Sequence, residues 1–348
     1  MPAVNVAIAP APHRSAPDMP ASGPIADRFG RVHRDMRISL TDRCSLRCTY
    51  CMPEQGSEWL ARQSILTTDE IERIARIAAT HGITTFRLTG GEPLLRRDLE
   101  DVVARLARIP GAEIAMTTNA IGLDRRLPAL VDAGLGRLNI SIDTLDRDRF
   151  RELTRRDRLD DVLRGIRAAS EAGIGPLKLN AVAMRGVNDT EIADLVQFAI
   201  DHGAQMRFIE QMPLDAGHTW SRSEMVTREE ILGRLRERWA IEPVPGRGGA
   251  PAESWRLDGS ERTVGVIASV TAPFCGACDR MRLTADGQIR NCLFSNSEFD
   301  LVPLLRGGSD DAAIEGMLRR AIWGKLPGHA VGDESFLQPA RGMNAIGG

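Results

Sequence analysis

The stretch that decides the fold is Cys44-Ser45-Leu46-Arg47-Cys48-Thr49-Tyr50-Cys51, which holds three cysteines within eight residues. An odd number of thiols cannot all pair as disulfides, whereas a loop this compact can wrap three thiolates around one corner of an inorganic cluster. A four-iron cubane held by three cysteines leaves one iron open to a substrate. Two alternatives remain from spacing alone, namely a zinc site and three reduced structural thiols.

The cysteine stretch follows the first of six apolar strands that alternate with amphipathic helices. These strands are predicted at residues 36–40, 85–88, 113–117, 137–142, 177–183 and 205–210. Thr67-Thr68-Asp69-Glu70 is typical of a capping box that opens a helix, and Asn188-Asp189 is expected to cap a later one. Such alternation implies a parallel sheet. Because six units fall short of the eight that close a barrel, we predict an open, incomplete (β/α)6 barrel.

The residues of unusual chemistry lie where these strands end. They are the cysteine stretch, the turn Thr89-Gly90-Gly91-Glu92-Pro93, Thr117, Ser141 and Met212. Parallel barrels carry their active sites at this rim, because the βα-loops converge there. Each residue alone also has an ordinary interpretation, as a strand-end hydroxyl, a tight turn or a core methionine. Together they predict an active site at the rim.

Beyond Met212 the pattern changes to short strands, loops and isolated helices. We expect residues 214–348 to form a smaller α+β module, with a surface loop at 243–251, after a partial barrel over 29–213. The Ala- and Pro-rich start lacks the apolar core of a signal peptide, so residues 1–28 are predicted to be a disordered tail. A transit peptide is the alternative for this segment.

A second cysteine triad lies in the C-terminal module, at Cys275, Cys278 and Cys292. Its spacing fits a zinc ribbon missing one ligand as well as it fits a cluster. The presence of the first triad favours the cluster. With three cysteines, this site too would leave one iron free to meet a substrate atom.

Arginines stand beside the second triad and on the barrel strands. Arg280 and Arg282 alternate on one strand and so share a face, which suits them to clamp phosphate oxygens. Arg37 and Arg87 interrupt otherwise apolar strands, and a buried arginine needs an anionic partner. Any one of them could be a solvated surface charge. As a group they predict a polyanionic ligand between the two triads.

Composition excludes several classes of function. The 348 residues carry a net charge of −2, so no overall basic field attracts nucleic acid, and a single tyrosine offers no base-stacking surface. There is no apolar run of about 18 residues, the length that a membrane span needs. With six cysteines and no signal peptide, the chain is expected to be cytoplasmic with reduced thiols.

Taken together, these motifs resemble a known family. Cys-x3-Cys-x2-Cys followed by Gly-Gly-Glu-Pro resembles the radical S-adenosylmethionine superfamily. With the second triad, the Arg-x-Arg after it and the terminal Gly347-Gly348, the chain from Phe29 onward is similar to the GTP 3′,8-cyclase family of molybdenum cofactor biosynthesis. The resemblance implies conversion of GTP to (8S)-3′,8-cyclo-7,8-dihydroguanosine 5′-triphosphate, in which a 5′-deoxyadenosyl radical removes the ribose 3′ hydrogen.

The resemblance also implies roles for individual residues. Two 4Fe–4S clusters would be held by the triads Cys44, Cys48, Cys51 and Cys275, Cys278, Cys292. S-adenosylmethionine would be bound by Tyr50, Gly91, Ser141 and Met212. GTP would be bound by Arg37, Arg87, Thr117, Lys178, Arg280, Met281 and Arg282, with Arg207 as a further candidate. The Gly347-Gly348 tail would reach into the active site.

The partners implied by the resemblance are a second copy of the chain, in a homodimer, and the downstream cyclic pyranopterin monophosphate synthase. One departure is visible, since Ala120 stands where the family often has glycine. If that position needs a positive φ, alanine is disfavoured there. Two other functions compete: a peptide-modifying radical enzyme with an auxiliary cluster, and a non-catalytic metal-binding scaffold.

Overall fold

The computed structural model describes residues 19–215, 217–331, 333 and 336–347. Residues 1–18 of the predicted tail lie outside this range, but residues 19–28 correct the prediction. Ile25 is fully buried in the main core, and its backbone N–H donates to the His81 carbonyl at 2.9 Å. Asp27 is also buried, in an ion pair with Arg31. This anchor was missed because one isoleucine among Ala and Pro gives no periodic signal.

The six predicted βα units are present. Their strands are β1 Asp35–Ser39, β2 Thr85–Thr89, β3 Glu113–Thr118, β4 Arg137–Ser141, β5 Leu177–Ala183 and β6 Gln205–Glu210. Their helices are α1 Thr68–Thr80, α2 Leu99–Ala107, α3 Leu123–Asp132, α4 Arg147–Thr154, α5 Leu159–Glu171 and α6 Ile192–Asp201. Thr67 and Glu70 form the predicted capping box at the start of α1. Asn188 does not cap α6; its side chain instead binds the Met184 N–H and the Asp143 carbonyl.

The C-terminal region adds strands and helices to the same body. They are α7 Arg228–Arg236, β7 Ile241–Val244, β8 Glu253–Leu257, β9 Thr263–Ile267, β10 Arg280–Leu283, β11 Gln288–Arg290, β12 Phe299–Asp300, α8 Val302–Arg306, α9 Asp311–Trp323 and α10 Met343–Ile346. The loop predicted at 243–251 therefore overlaps the end of β7. That hairpin strand is short and carries Pro243, a residue that weakens any strand signal in the sequence.

All twelve strands of the described residues form one sheet, in the order β12-β11-β10-β1-β2-β3-β4-β5-β6-β9-β8-β7. The strands of the predicted C-terminal module thus belong to the barrel sheet, and the division into two domains stays a prediction. Strand β10 pairs parallel with β1, and β9 pairs parallel with β6, so the C-terminal region extends both edges of the barrel sheet. Eight parallel strands result, with no pairing between β9 and β10, and the barrel stays open.

Alternation along the strands separates the core from the site. Met36 and Ile38 of β1 are buried with the outer helices, whereas Arg37 between them points to the concave face. The same alternation places Arg87 of β2, Lys178 of β5 and Arg207 of β6 on that inner face. The sheet is thus apolar outside, where the helices cover it, and cationic inside. No helix of the described residues is long and apolar enough to span a bilayer.

Candidate active site

Both cysteine triads open into one cavity of about 340 Å³ on the concave side of the sheet. Most of the residues predicted for the site line it: Arg37, Cys44, Cys48, Tyr50, Cys51, Gly91, Thr117, Ser141, Met212, Cys275, Cys278, Arg280, Arg282, Cys292 and the further candidate Arg207. Parts of the chain as far apart as Arg37 and Asn344 therefore meet here. The positions that the strand-end pattern singled out lie around this one cavity.

The first triad sits in a loop that follows β1 and is fixed by backbone contacts. Arg47 donates from Nη1 to the Cys44 carbonyl at 2.7 Å, which closes the loop on itself. Gly91 lies directly under the loop, with its N–H donating to the Thr41 carbonyl at 2.7 Å. A Cβ on Gly91 would collide with the Arg43 carbonyl, so only glycine permits this approach.

The three thiols of the first triad are shielded from solvent and surrounded by negative groups. Burial raises the pKa of Cys44 to about 11, that of Cys51 to about 12, and that of Cys48 well above its ordinary value. Glu92 adds to the shift at Cys44, and Asp143 adds to it at Cys48 and Cys51. Three thiolates here would need compensating positive charge, which the irons of a cluster carry.

The donor set of each triad consists of three cysteine sulfurs. In the described residues, no three His, Cys, Asp or Glu side chains are grouped as ligands of a single ion. Three thiolates, each on a different iron, are the ligands of a 4Fe–4S cubane with one open iron, so both triads are compatible with the predicted clusters.

A hydrogen-bonded pair holds the wall of the cavity next to the first triad. The Tyr50 hydroxyl donates to Asp143 Oδ2 at 2.8 Å, and the Val182 N–H donates to Asp143 Oδ1 at 2.8 Å. Burial raises the pKa of Asp143 to about 6, and these two donors limit the rise. Ser141, at the end of β4, and Met212, just beyond β6, line the same side of the cavity.

Glu92 of the Gly-Gly-Glu-Pro turn is a buried carboxylate that the sequence interpretation left without a role. It accepts from Thr118 Oγ1 at 2.6 Å, from the Asn119 N–H at 2.7 Å and from the Leu94 N–H at 3.0 Å. Burial nevertheless raises its pKa to about 7. Its position in the Gly-Gly-Glu-Pro motif was the only sign in the sequence that Glu92 matters. In the structure it joins the end of β2 to the end of β3.

The second triad lies among cations. Lys325 Nζ is 3.4 Å from Cys278 Sγ, and Arg280 follows on β10. Burial alone would raise the pKa of Cys278, but Lys325 and Arg280 lower it overall. At Cys292 burial dominates and the pKa is raised. The environment of this triad is thus opposite in charge to that of the first.

The predicted arginine cluster is a row across neighbouring strands. Arg37 stands in register with Arg282 on one side and with Arg87 on the other. Burial lowers the pKa of Arg37 and of Arg207 to about 10, and lowers that of Arg282 well below its ordinary value. Arg37 Nε is buried without a hydrogen-bond partner among the described residues. Such a row fits a polyanion that would replace the lost water.

Three predicted GTP residues do not line the cavity. Arg87 shares the inner face of the sheet without lining the cavity, and its Nη1 donates at 3.2 Å to the amide oxygen of Asn139, with that amide in its hydrogen-bonded orientation. Lys178 of β5 is half-buried, and burial together with the positive charge of Arg207 lowers its pKa to about 8. Met281 packs in the core, because it alternates with Arg280 and Arg282 on β10.

The C-terminal segment enters the cavity from the side of the first triad. Asn344 of α10 lines the cavity and donates from Nδ2 to the Asp42 carbonyl at 3.1 Å. Arg282 donates from Nη1 to the Gly347 carbonyl. The predicted approach of the tail is therefore present up to Gly347, while Gly348 lies outside the described residues.

Other cavity residues were not selected from the sequence. Asn139 and Asn180 line the cavity two residues along from Arg137 and Lys178, and Asn180 Oδ1 is buried without a partner among the described residues. Counting every second position on each strand would have found them. The departure at Ala120 is also resolved, since its φ is 63°, in the region that favours glycine.

Comparisons with known proteins cover nearly the whole chain. The Radical SAM superfamily model matches residues 38–199, and the Molybdenum Cofactor Synthesis C model matches residues 204–331. A GTP 3′,8-cyclase of Mycobacterium sp. (strain KMS) is 54% identical over 96% of this chain and 97% of its own length. The chain belongs to the GTP 3′,8-cyclase family. Another member, from Streptomyces coelicolor, is also 54% identical, over 93% of this chain and 96% of its own.

A GTP 3′,8-cyclase 2 of Mycobacterium tuberculosis (strain H37Rv) is 52% identical over 95% of this chain and 94% of its own. Among solved structures, Streptococcus suis SuiB bound to the precursor peptide SuiA superposes with a TM-score of 0.57. It is 16% identical, and the match covers 86% of this chain and 66% of SuiB. That likeness concerns the fold alone, whereas membership of the radical SAM superfamily rests on the family model.

Proposed function

We propose that this chain converts GTP to (8S)-3′,8-cyclo-7,8-dihydroguanosine 5′-triphosphate, the first step of molybdenum cofactor biosynthesis. The observation that carries the proposal is the single cavity that both triads and several arginines line, with Arg37 Nε buried and without a hydrogen-bond partner among the described residues. The reaction is proposed from family membership. The cavity supports it, because the residues proposed to hold the two clusters, S-adenosylmethionine and the triphosphate all line it.

The first triad would hold a 4Fe–4S cluster through Cys44, Cys48 and Cys51, with S-adenosylmethionine beside it. The chemistry that this bound pair supplies is a 5′-deoxyadenosyl radical. Gly91 would bring backbone to the methionine part, since no Cβ separates it from the loop. Tyr50, Ser141 and Met212 would contact the remainder of the cofactor from the walls they form.

The second triad would hold the other 4Fe–4S cluster through Cys275, Cys278 and Cys292, close to the guanine base. The triphosphate would lie along the arginine row formed by Arg37, Arg207, Arg280 and Arg282, where charge-assisted hydrogen bonds are strong because water is excluded. Thr117 would add a hydroxyl donor. In this orientation the ribose would lie between the two triads.

Three residues of the GTP set would act from outside the cavity wall. Arg87 and Lys178 would add positive charge on the inner face of the sheet, next to the residues that line the cavity. Met281 would contribute only its backbone, since its side chain supports β10 from the core. The finer proposals of a homodimer, a cytoplasmic location and transfer of the product to cyclic pyranopterin monophosphate synthase come from the family alone.

The peptide-modifying alternative is not favoured. A peptide has no cluster of negative charge to match the inner row of arginines, whereas a triphosphate does. The SuiB likeness does not support it either, because a similarity at 16% identity concerns the fold.

The test is anaerobic reconstitution with iron and sulfide, followed by reduction and addition of S-adenosylmethionine with GTP. We expect about eight irons per chain, with 5′-deoxyadenosine and the cyclised nucleotide forming only when GTP is present. Adenosine triphosphate in place of GTP is the matched control. About four irons would remove the second cluster, and 5′-deoxyadenosine formation with unchanged GTP would overturn the proposed reaction.

A further inference from the structure

Lysine is nearly absent from this chain. Of its 45 Lys and Arg residues, only Lys178 and Lys325 are lysines. Lys325 follows α9, and only 3% of its surface is exposed. A buried ammonium is costly unless its charge is compensated, so the environment of this residue calls for an explanation.

The Lys325 ammonium donates to acceptors on several sides. They are His33 Nε2 at 2.9 Å, the Arg280 carbonyl at 2.8 Å, and both the carbonyl, at 3.3 Å, and Sγ, at 3.4 Å, of Cys278. An ammonium has three N–H donors. One donates to His33, one to the Arg280 carbonyl, and the third is shared between the carbonyl and the sulfur of Cys278. None of the four acceptors is a carboxylate.

His33 accepts in this network as a neutral ring. Its Nδ1 lies 3.0 Å from the Arg31 carbonyl and must carry the proton, which leaves Nε2 free to accept from Lys325. His33 is fully buried, so this orientation is fixed by packing. Among the four direct hydrogen-bond acceptors of Lys325, only the Cys278 sulfur can carry negative charge. Cys292 and Asp279 act on the ammonium through charge without bonding to it.

We propose that Lys325 is a positioning residue for the second triad, whose ammonium charge donates to the Cys278 thiolate and raises the reduction potential of the cluster bound there. This inference rests on the proposed second cluster. Positive charge and hydrogen bonds at a ligand sulfur stabilise the more negative, reduced state of an iron–sulfur group. An arginine would not fit the role, because a planar guanidinium cannot direct three donors around one nitrogen.

The first experiment replaces the charge in the reconstituted protein. Lys325→Gln keeps a hydrogen-bond donor without the charge, and Lys325→Met removes both. We expect the potential of the second cluster, measured by paramagnetic resonance during a redox titration, to fall in both variants and further in Met. The expected fall in Met is a tenfold change in the equilibrium constant, ~59 mV for a one-electron couple. The first cluster should not shift.

The matched control is Lys178→Met, which removes the other lysine from the inner face of the sheet without touching the second triad. It should leave the second potential at its wild-type value. A purely structural role for Lys325 would lower thermal stability in both of its variants without moving the potential. Unchanged potentials in folded Lys325 variants that bind wild-type iron would overturn the proposal.

A second measurement needs no change at Lys325. Because the chain has two lysines, growth on lysine labelled with 15N at Nζ marks only the two side-chain ammonium groups. With the first triad replaced by alanine, only the second cluster contributes to the spectrum, and spin-echo modulation of its reduced form should show a weak 15N coupling. The coupling should persist in Lys178→Met. In this variant, about four irons per chain with no coupling would overturn this inference alone, whereas a chain that binds no iron would overturn it together with the second cluster.

Discussion

The two cysteine triads share one cavity but lie in opposite electrostatic surroundings. Glu92 and Asp143 stand near the first triad, and they raise thiol pKa values that burial has already raised. Lys325 and Arg280 stand by the second, where they lower the pKa of Cys278. An added electron is destabilised beside carboxylates and stabilised beside cations. We infer that a cluster at the first triad would be suited to releasing an electron to a bound cofactor. The cations around the second triad would be suited to holding a bound anion.

The largest effect is expected from Cys48→Ala, which breaks the first triad. Formation of 5′-deoxyadenosine should fall to background, because the three-cysteine site is lost. Iron should fall from about eight to about four per chain. Chromatography of the reaction mixture and an iron assay measure both. Retention of 5′-deoxyadenosine formation would show that the radical does not originate at this triad.

Cys278→Ala breaks the second triad and should separate the formation of 5′-deoxyadenosine from the cyclisation of GTP. We expect the same loss of about four irons, loss of the cyclised nucleotide, and survival of slow 5′-deoxyadenosine formation from the intact first site. The assay is the same as for Cys48→Ala, so each variant controls for the other. Wild-type cyclisation by this variant would exclude the second triad from substrate binding.

A smaller effect is expected from Arg207→Gln, which weakens the arginine row but leaves both triads intact. One hydrogen bond to a charged group contributes about 1.5–3 kcal/mol, so KM for GTP should rise roughly ten- to hundredfold. Steady-state kinetics at saturating S-adenosylmethionine measure the change. Arg238→Gln is the control, since that side chain is half-exposed and bonds Gln197 away from the cavity. Equal KM values in the two variants would contradict the assignment.

The smallest effect is expected from Tyr50→Phe, which removes one donor to Asp143. The folded pKa of Asp143, about 6, lies above the unfolded value of about 3.9. Its contribution to stability is therefore fully present below about pH 3.9 and is lost as the pH rises through about 6. Without the Tyr50 hydroxyl the folded pKa should rise, extending the loss to higher pH.

Thermal melts of the metal-free chain between about pH 4 and 8 measure this difference. The variant should lose about 1 kcal/mol at neutral pH, and the loss should shrink in acid, where Asp143 is neutral. Glu92 titrates in an overlapping range but is common to both proteins, so the difference between them isolates Asp143. A pH-independent difference would mean that Tyr50 acts on packing alone.

The sequence predicted what depends on local pattern. The six strands, the α1 capping box and the meeting of both triads at the strand ends all follow from spacing and periodicity. The pairing of β10 with β1 does not, because no local signal connects residues so far apart. Met281 shows a related limit: its motif suggested a binding role, but strand alternation placed its side chain in the core. Lys325 had no motif, and only its buried contacts reveal it.

The two flanking strands have a consequence for biosynthesis. Strand β1 leaves the ribosome early, yet its outer neighbour β10 emerges roughly 240 residues later. Strand β6 likewise waits for β9. Until then the nascent sheet has two open, hydrogen-bonding edges, the feature that invites aggregation between chains. Assembly of this enzyme in the cell therefore depends on how those edges are protected during translation, before any iron is inserted.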